Sequence, residues 1–165
     1  MKVVLDSNII IADFWLESTN FEVLFASAKK GDIEIFIPEI VLDEVINKYD
    51  QRLQQSQQKV DSELKTLRKL SKLRKKNPLT KSIIDESVSD YHKHIKKVIK
   101  ENSIIVLKYP NTSHRFLAHK AMNKLKPFNT NEKGYRDCLI WENIKTLLTD
   151  SESAVTVPEL VFISN

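Results

Sequence analysis

The apolar residues of this chain fall into two rhythms, short runs and longer stretches spaced three and four apart. Val3-Val4-Leu5 is a short run that meets Asp6, and residues 2 to 6 read as a buried strand ending in an acid. Ile9, Ile10, Phe14, Phe21, Leu24 and Phe25 then recur on roughly helical spacing, which predicts a helix soon after the strand. Lys29-Lys30-Gly31-Asp32 stops it, with cations in a last turn followed by glycine. Ile33, Ile35 and Ile37 alternate and predict a second strand closed by Pro38. From Glu39 the spacing becomes helical again through Val41, Leu42, Val45, Ile46, Tyr49, Leu53, Val60, Leu64, Leu67 and Leu70. This predicts one long helix reaching Asn77-Pro78, where proline stops it. Its middle, Gln54 to Gln58, is polar all round, so the helix is expected to project or break there. A second helix over about 81–100 would fold back as an antiparallel hairpin. Ile104–Leu107 reads as a third strand, His114 to about Leu125 as a helix, Pro127–Gly134 as a loop, the stretch through Asp137, Ile140, Trp141, Ile144 and Leu147 as a helix, and Leu160–Ile163 as a final strand. Strands alternating with helices imply a mostly parallel sheet covered on both faces, with sites outside the carboxyl ends of its strands.

The 165 residues fit one domain, 1–165, with enough chain to bury a core without disulfides. The single cysteine, Cys138, suits a reducing compartment, and the N-terminus lacks the pattern of a signal peptide. No apolar run approaches membrane-spanning length, so no membrane partner is expected and the chain reads as cytoplasmic. Two glycines, Gly31 and Gly134, are too few for a P-loop or a dinucleotide fingerprint. His92 and His94 fall on different faces of a helix, and His114 and His119 have no cysteine nearby, so zinc is poorly supported. The net charge of +4 leans toward a polyanionic partner.

Three acids stand where such a sheet would place a site. Asp6 ends the first strand, Glu44 lies in the first turns of the long helix, and Asp137 opens a later helix. Singly, each has a plain explanation: a turn or helix cap for Asp6, and the helix dipole for the other two. As a set at one end of one sheet, they would suit Mg²⁺ or Mn²⁺, hard cations that prefer carboxylate oxygen. Phosphodiester hydrolysis needs an activated water and neutralised phosphate charge, which such cations supply.

Val3-Val4-Leu5-Asp6-Ser7-Asn8 resembles the first motif of the PIN-domain nucleases, a strand followed by Asp-x-Asn. The segment from Ile37 to Val45 resembles their second motif, ending in a metal-binding Glu, and the segment from Lys133 to Trp141 resembles their third. The nearest likeness is to a bacterial PIN-like subfamily with a helical insertion after the second motif. The resemblance implies an α/β, parallel-sheet, three-layer PIN-like fold with a long helical hairpin inserted at about 45–101. It implies a metal-dependent endoribonuclease that cuts single-stranded or structured RNA, with Asp6, Glu44 and Asp137 as catalytic metal ligands for Mg²⁺ or Mn²⁺ and Asn8 as a polar neighbour. By family analogy the role is toxin-like or defence-associated, with an antitoxin or another protein as partner. The family pattern adds a fourth acid a few residues after a segment like Phe162-Ile163-Ser164-Asn165, which this sequence does not reach. The expected sheet accordingly lacks the family's last strand and keeps an exposed edge.

Lys65, Arg68, Lys69, Lys72, Arg74, Lys75 and Lys76, with Lys93, Lys96, Lys97 and Lys100, form either a phosphate-tracking surface or a solvated helix face. Lys48, Lys133 and Arg136 could meet a substrate phosphate or pair with nearby acids. Tyr135 and Trp141 could stack on a base, but the spacing of Trp141 with Ile140, Ile144 and Leu147 reads as core. Cys138 reads as a small buried residue. Two alternatives stand beside the nuclease. One is a catalytically inactive PIN-like module that binds RNA or protein through its hairpin. The other is a different metal-dependent phosphohydrolase. A haloacid-dehalogenase-like phosphatase would want an Asp where Asn8 stands. The heptad-like helix and the open edge strand both allow a homodimer.

Overall fold

A computed structural model describes residues 1–71, 75–128, 134–149 and 160–164. Its centre is a four-stranded parallel sheet in the order β3-β2-β1-β4, built from β1 (Lys2–Leu5), β2 (Glu34–Pro38), β3 (Ile105–Leu107) and β4 (Leu160–Ile163). Val3, Val4 and Leu5 are all buried, as are Ile35, Phe36 and Ile37. Successive strand residues point to opposite faces, so consecutive burial means that both faces of the sheet are covered. The register pairs Val3 with Ile35 on one side and with Val161 on the other, which sets β1 in the interior of the sheet.

The helices follow the expected order, with differences that have local causes. The first predicted helix is two helices, α1 (Ser7–Ala12) and α2 (Thr19–Lys30). Between them, Asp13 turns its carboxylate onto the Ser18 amide at 2.8 Å, and Leu16 takes a left-handed φ of 58°. A side chain that captures a backbone donor competes with helix continuation. The long helix α3 (Glu39–Leu70) ends at Leu70, short of the expected Asn77. It does not break at Gln54–Gln58. At 32 residues it is about 48 Å long. Its polar middle is a docking seam instead: Gln57 donates to the Leu79 carbonyl at 2.6 Å, and Asn77 donates to the Gln57 carbonyl at 3.1 Å and to Asp61 at 3.0 Å. The chain then returns as α4 (Lys81–Glu101), capped by the Thr80 hydroxyl, which accepts from the Ile83 amide. Two shorter helices follow, α5 (His114–Met122) and α6 (Tyr135–Thr149). None of the described helices is long and apolar enough to cross a membrane.

Aromatic rings join the base of the hairpin to the turn after α1. Tyr49 of α3 stacks on Tyr91 of α4 at 4.1 Å, and Phe14 meets both edge-on at 5.3 and 5.8 Å. Trp15 contacts Tyr91 at 5.7 Å and His94 at 4.8 Å, while the Arg52 guanidinium sits 5.0 Å over Phe14. Farther out, Lys65, Arg68, Lys69, Lys75 and Lys76 are exposed, whereas Lys72 and Arg74 lie outside the described residues. Trp141 corrects an expectation. It is 49% exposed rather than core, because it stands one position after Ile140 and is rotated about 100° from that buried face. Cys138 is fully buried, as expected.

Tyr91 is the largest fully buried side chain, yet its hydroxyl has no hydrogen-bond partner among the described residues. Burial, followed by the nearby Tyr49 and Asp13 groups, pushes that hydroxyl well above the ordinary tyrosine range. An orphaned buried hydroxyl costs stability that its ring repays. We predict that Tyr91→Phe raises unfolding free energy by about 1 kcal/mol in urea titration, whereas Tyr91→Ala lowers it by about 3–5 kcal/mol.

Candidate active site

All four strands run parallel, so their carboxyl ends open on one edge, and each exit carries a polar side chain. Asp6 follows β1 directly. Its amide donates to the Ile163 carbonyl of β4 at 3.0 Å, which extends the ladder by one rung. Its carboxylate caps α1: Oδ1 accepts from the Ser7 amide at 2.7 Å. Oδ2 accepts from the Asn8 side-chain Nδ2 at 3.2 Å and from the Ser164 hydroxyl at 2.6 Å. Asn8 is thus the polar neighbour of Asp6 that the sequence suggests. The helix-cap reading of Asp6 is seen directly, and the capping carboxylate stands just past the carboxyl end of β1.

Glu44 lies early in α3, one residue before the fully buried Val45. Its Oε1 accepts from the Arg136 guanidinium, whose residue is near the start of α6. Of the two readings open for Arg136, the one seen is pairing with an acid. Asp137, the next residue, is exposed in the first turn of α6. Lys48 donates to Gln51 at 3.3 Å, one turn farther along its own helix. Lys133 lies outside the described residues.

Two further links close the rim, and sequence reasoning did not single them out. Lys108, just past β3, pairs with Glu39 at 3.0 Å, and Tyr109 donates to Asp43 at 2.6 Å. That hydrogen bond, then burial, pushes the Tyr109 hydroxyl up to about 12. Ser164 was also missed as a site residue. The available signal was its place one residue after a strand expected to run parallel to β1.

The donors at this edge are carboxylate, hydroxyl and amide oxygens, which suit a hard divalent cation rather than a soft one. Among the described residues, no three His, Cys, Asp or Glu side chains form a group that could hold a metal ion. Asp6 is held by Ser7, Asn8 and Ser164, and Glu44 by Arg136, with Asp137 beside that arginine in sequence.

A family model described as PIN domain matches residues 3–165. The chain belongs to the PIN-domain family. No curated protein and no solved structure matches it. The PIN fold is of nuclease type, and PIN-domain nucleases generally bind RNA and typically use divalent metals. The four-stranded parallel sheet with its helices is consistent with that fold.

The start of α6 in this PIN domain depends on Gly134. The Cys138 amide donates to the Gly134 carbonyl at 2.8 Å, and Gly134 holds a φ of 119°. A β-carbon there would lie 2.5 Å from the Pro127 carbonyl oxygen. Gly134→Ala is therefore expected to lower unfolding free energy by about 1–3 kcal/mol in denaturant titration, through backbone strain next to Arg136 and Asp137.

Proposed function

We propose that this PIN domain is a metal-dependent endoribonuclease acting at the carboxyl edge of its sheet. The observation that carries the reading is Asp6, delivered by an interior strand to that edge and gripped there by Asn8 and by Ser164 from the neighbouring strand. In this reading Asp6, Glu44 and Asp137, which do not form a metal-holding group as they stand, become the catalytic metal ligands once a cation draws them together and Arg136 releases Glu44, and residues 1–165 act as one PIN-like unit with about 45–101 as its helical insertion. A bound Mg²⁺ or Mn²⁺ would lower the proton affinity of a water and neutralise phosphate charge. The protein's own groups do the rest. Ser7, Asn8 and Ser164 fix the orientation of the Asp6 carboxylate. Arg136, now the counter-ion of Glu44, presents a fork of donors that matches a phosphate once it turns from that acid. Asn8, Lys48, Lys133 and Arg136 are the substrate-facing polar groups in this scheme. Cytoplasmic RNA is the substrate class, and a toxin-like role with an antitoxin partner is in keeping with the family.

One observation favours a second reading, a PIN-like module that binds RNA or protein without cutting it. The Arg136 guanidinium already neutralises Glu44, leaving less unbalanced negative charge to attract a cation.

The two readings separate in a cleavage assay on single-stranded RNA with added Mn²⁺. Asp6→Asn and Asp137→Asn should each reduce cleavage by at least about 100-fold, since loss of a direct ligand costs more than loss of its support. Excess chelator should stop cleavage as well. Cleavage that persists at the parent rate through both substitutions, or in chelator, refutes the metal-site reading. A parent chain that binds RNA but never cuts it assigns the second reading.

A further inference from the structure

Outside the carboxyl edge, a second feature combines cations with an exposed aromatic ring. Lys120, Lys126, Pro127, Trp141, Glu142 and Lys145 line a groove of about 430 Å³ between α5 and α6. Trp141 stands half exposed in its wall, with Phe162 of β4 set 6.3 Å from its ring. Two of the lysines are held in place. Glu142 pairs with Lys145 at 2.6 Å and with Lys120 at 3.8 Å. Both ammonium groups also sit near the Phe116 ring, at 4.9 Å for Lys120 and 5.9 Å for Lys145. Among the described residues, three cations face one carboxylate, which gives the groove a positive surplus beside an open indole.

That surplus calls for an anion, and the indole calls for a flat apolar surface next to it. Single-stranded nucleic acid offers both in every nucleotide, a phosphate and a base face. An acidic peptide would satisfy the lysines but would need a flat side chain beside each acid to cover the indole as well. The groove also points the right way. Asp137, Trp141 and Lys145 are spaced four apart on α6 and all are exposed, so each is turned only about 40° from the last and rises about 6 Å. They form one stripe that starts beside the Arg136–Glu44 pair and ends in the groove.

We propose that the α5–α6 groove binds single-stranded RNA, with a base stacked on Trp141 and phosphates at Lys120, Lys126 and Lys145. Glu142 is the internal counter-ion that holds Lys120 and Lys145 in place. The choice of RNA rests on the nuclease reading, whereas the groove itself rests on Trp141 and its lysines.

Binding of a fluorescein-labelled single-stranded RNA to the full chain, measured in chelator so that no cutting is needed, tests this directly. Trp141→Ala should weaken binding about 10-fold, and Trp141→Phe, which keeps a stacking ring, should weaken it less. The double change Lys126→Gln with Lys145→Gln should lower the slope of log affinity against log salt by about 1.4. Unlabelled RNA should quench tryptophan emission in the parent chain and not in Trp141→Phe, a readout that holds even where Trp141→Ala disturbs folding. Unchanged affinity in Trp141→Ala at the parent melting temperature, or equal quenching in the parent and Trp141→Phe, overturns the proposal. Because binding is read without cleavage, a failed cleavage experiment leaves this result standing, and a failed binding result leaves the metal site untouched.

Discussion

Everything in this molecule leans on the double-sided burial of β1. Val3, Val4 and Leu5 are enclosed on both faces and paired on both edges, so the strand has no freedom to slide. A one-residue slip would reverse every side chain and drive Lys2 or Asp6 into the core. The apolar run therefore does more than contribute burial energy. It determines where Asp6 emerges, and the neighbouring strands, held in parallel register, bring Ile163 and Ser164 alongside it. The edge is built from the core outward.

The arrangement of charge around that edge follows from the same geometry. The acids Glu39, Asp43 and Glu44 open α3, where the helix dipole favours them, and each has found a partner from another element: Lys108, Tyr109 and Arg136. The rim is thus stitched across the exits of β2 and β3 and the start of α6. Only Arg136 among these partners has a planar fork of donors that two phosphate oxygens could also satisfy. The ion pair on Glu44 is both a structural tie and an exchangeable one.

Much of this was legible beforehand, for reasons that belong to particular residues. The runs Val3–Leu5, Ile33–Ile37 and Leu160–Ile163 are short, apolar and punctuated by Asp6, Pro38 and polar flanks, so the strands could be read closely. Asp6, Asn8, Glu44 and Arg136 could be nominated because their motifs fix them relative to those strands. Other features depended on partners that spacing does not reveal. Phe14, in the turn after α1, and Phe21, in α2, pack against one core, so their spacing imitates a single helix across Asp13–Ser18. Gln54–Gln58 looked like a weak point because the groups Gln57 meets, the Leu79 carbonyl and the Asn77 amide, are some twenty residues away. Leu67 and Leu70 continued the apolar rhythm but are exposed, so the helix lost its packing before it reached proline. Trp141 shared a helix with core residues without sharing their face.

The bond from Ser164 to Asp6 joins residues 158 positions apart, almost the whole chain. Contacts so distant in sequence form late, since a long loop must close before they return any free energy. A chain emerging from the ribosome makes β1 first and cannot grip its carboxylate from that side until β4 has been synthesised and docked. Assembly of the edge therefore waits for the chain through β4, and a nascent chain shorter than that carries the edge unfinished.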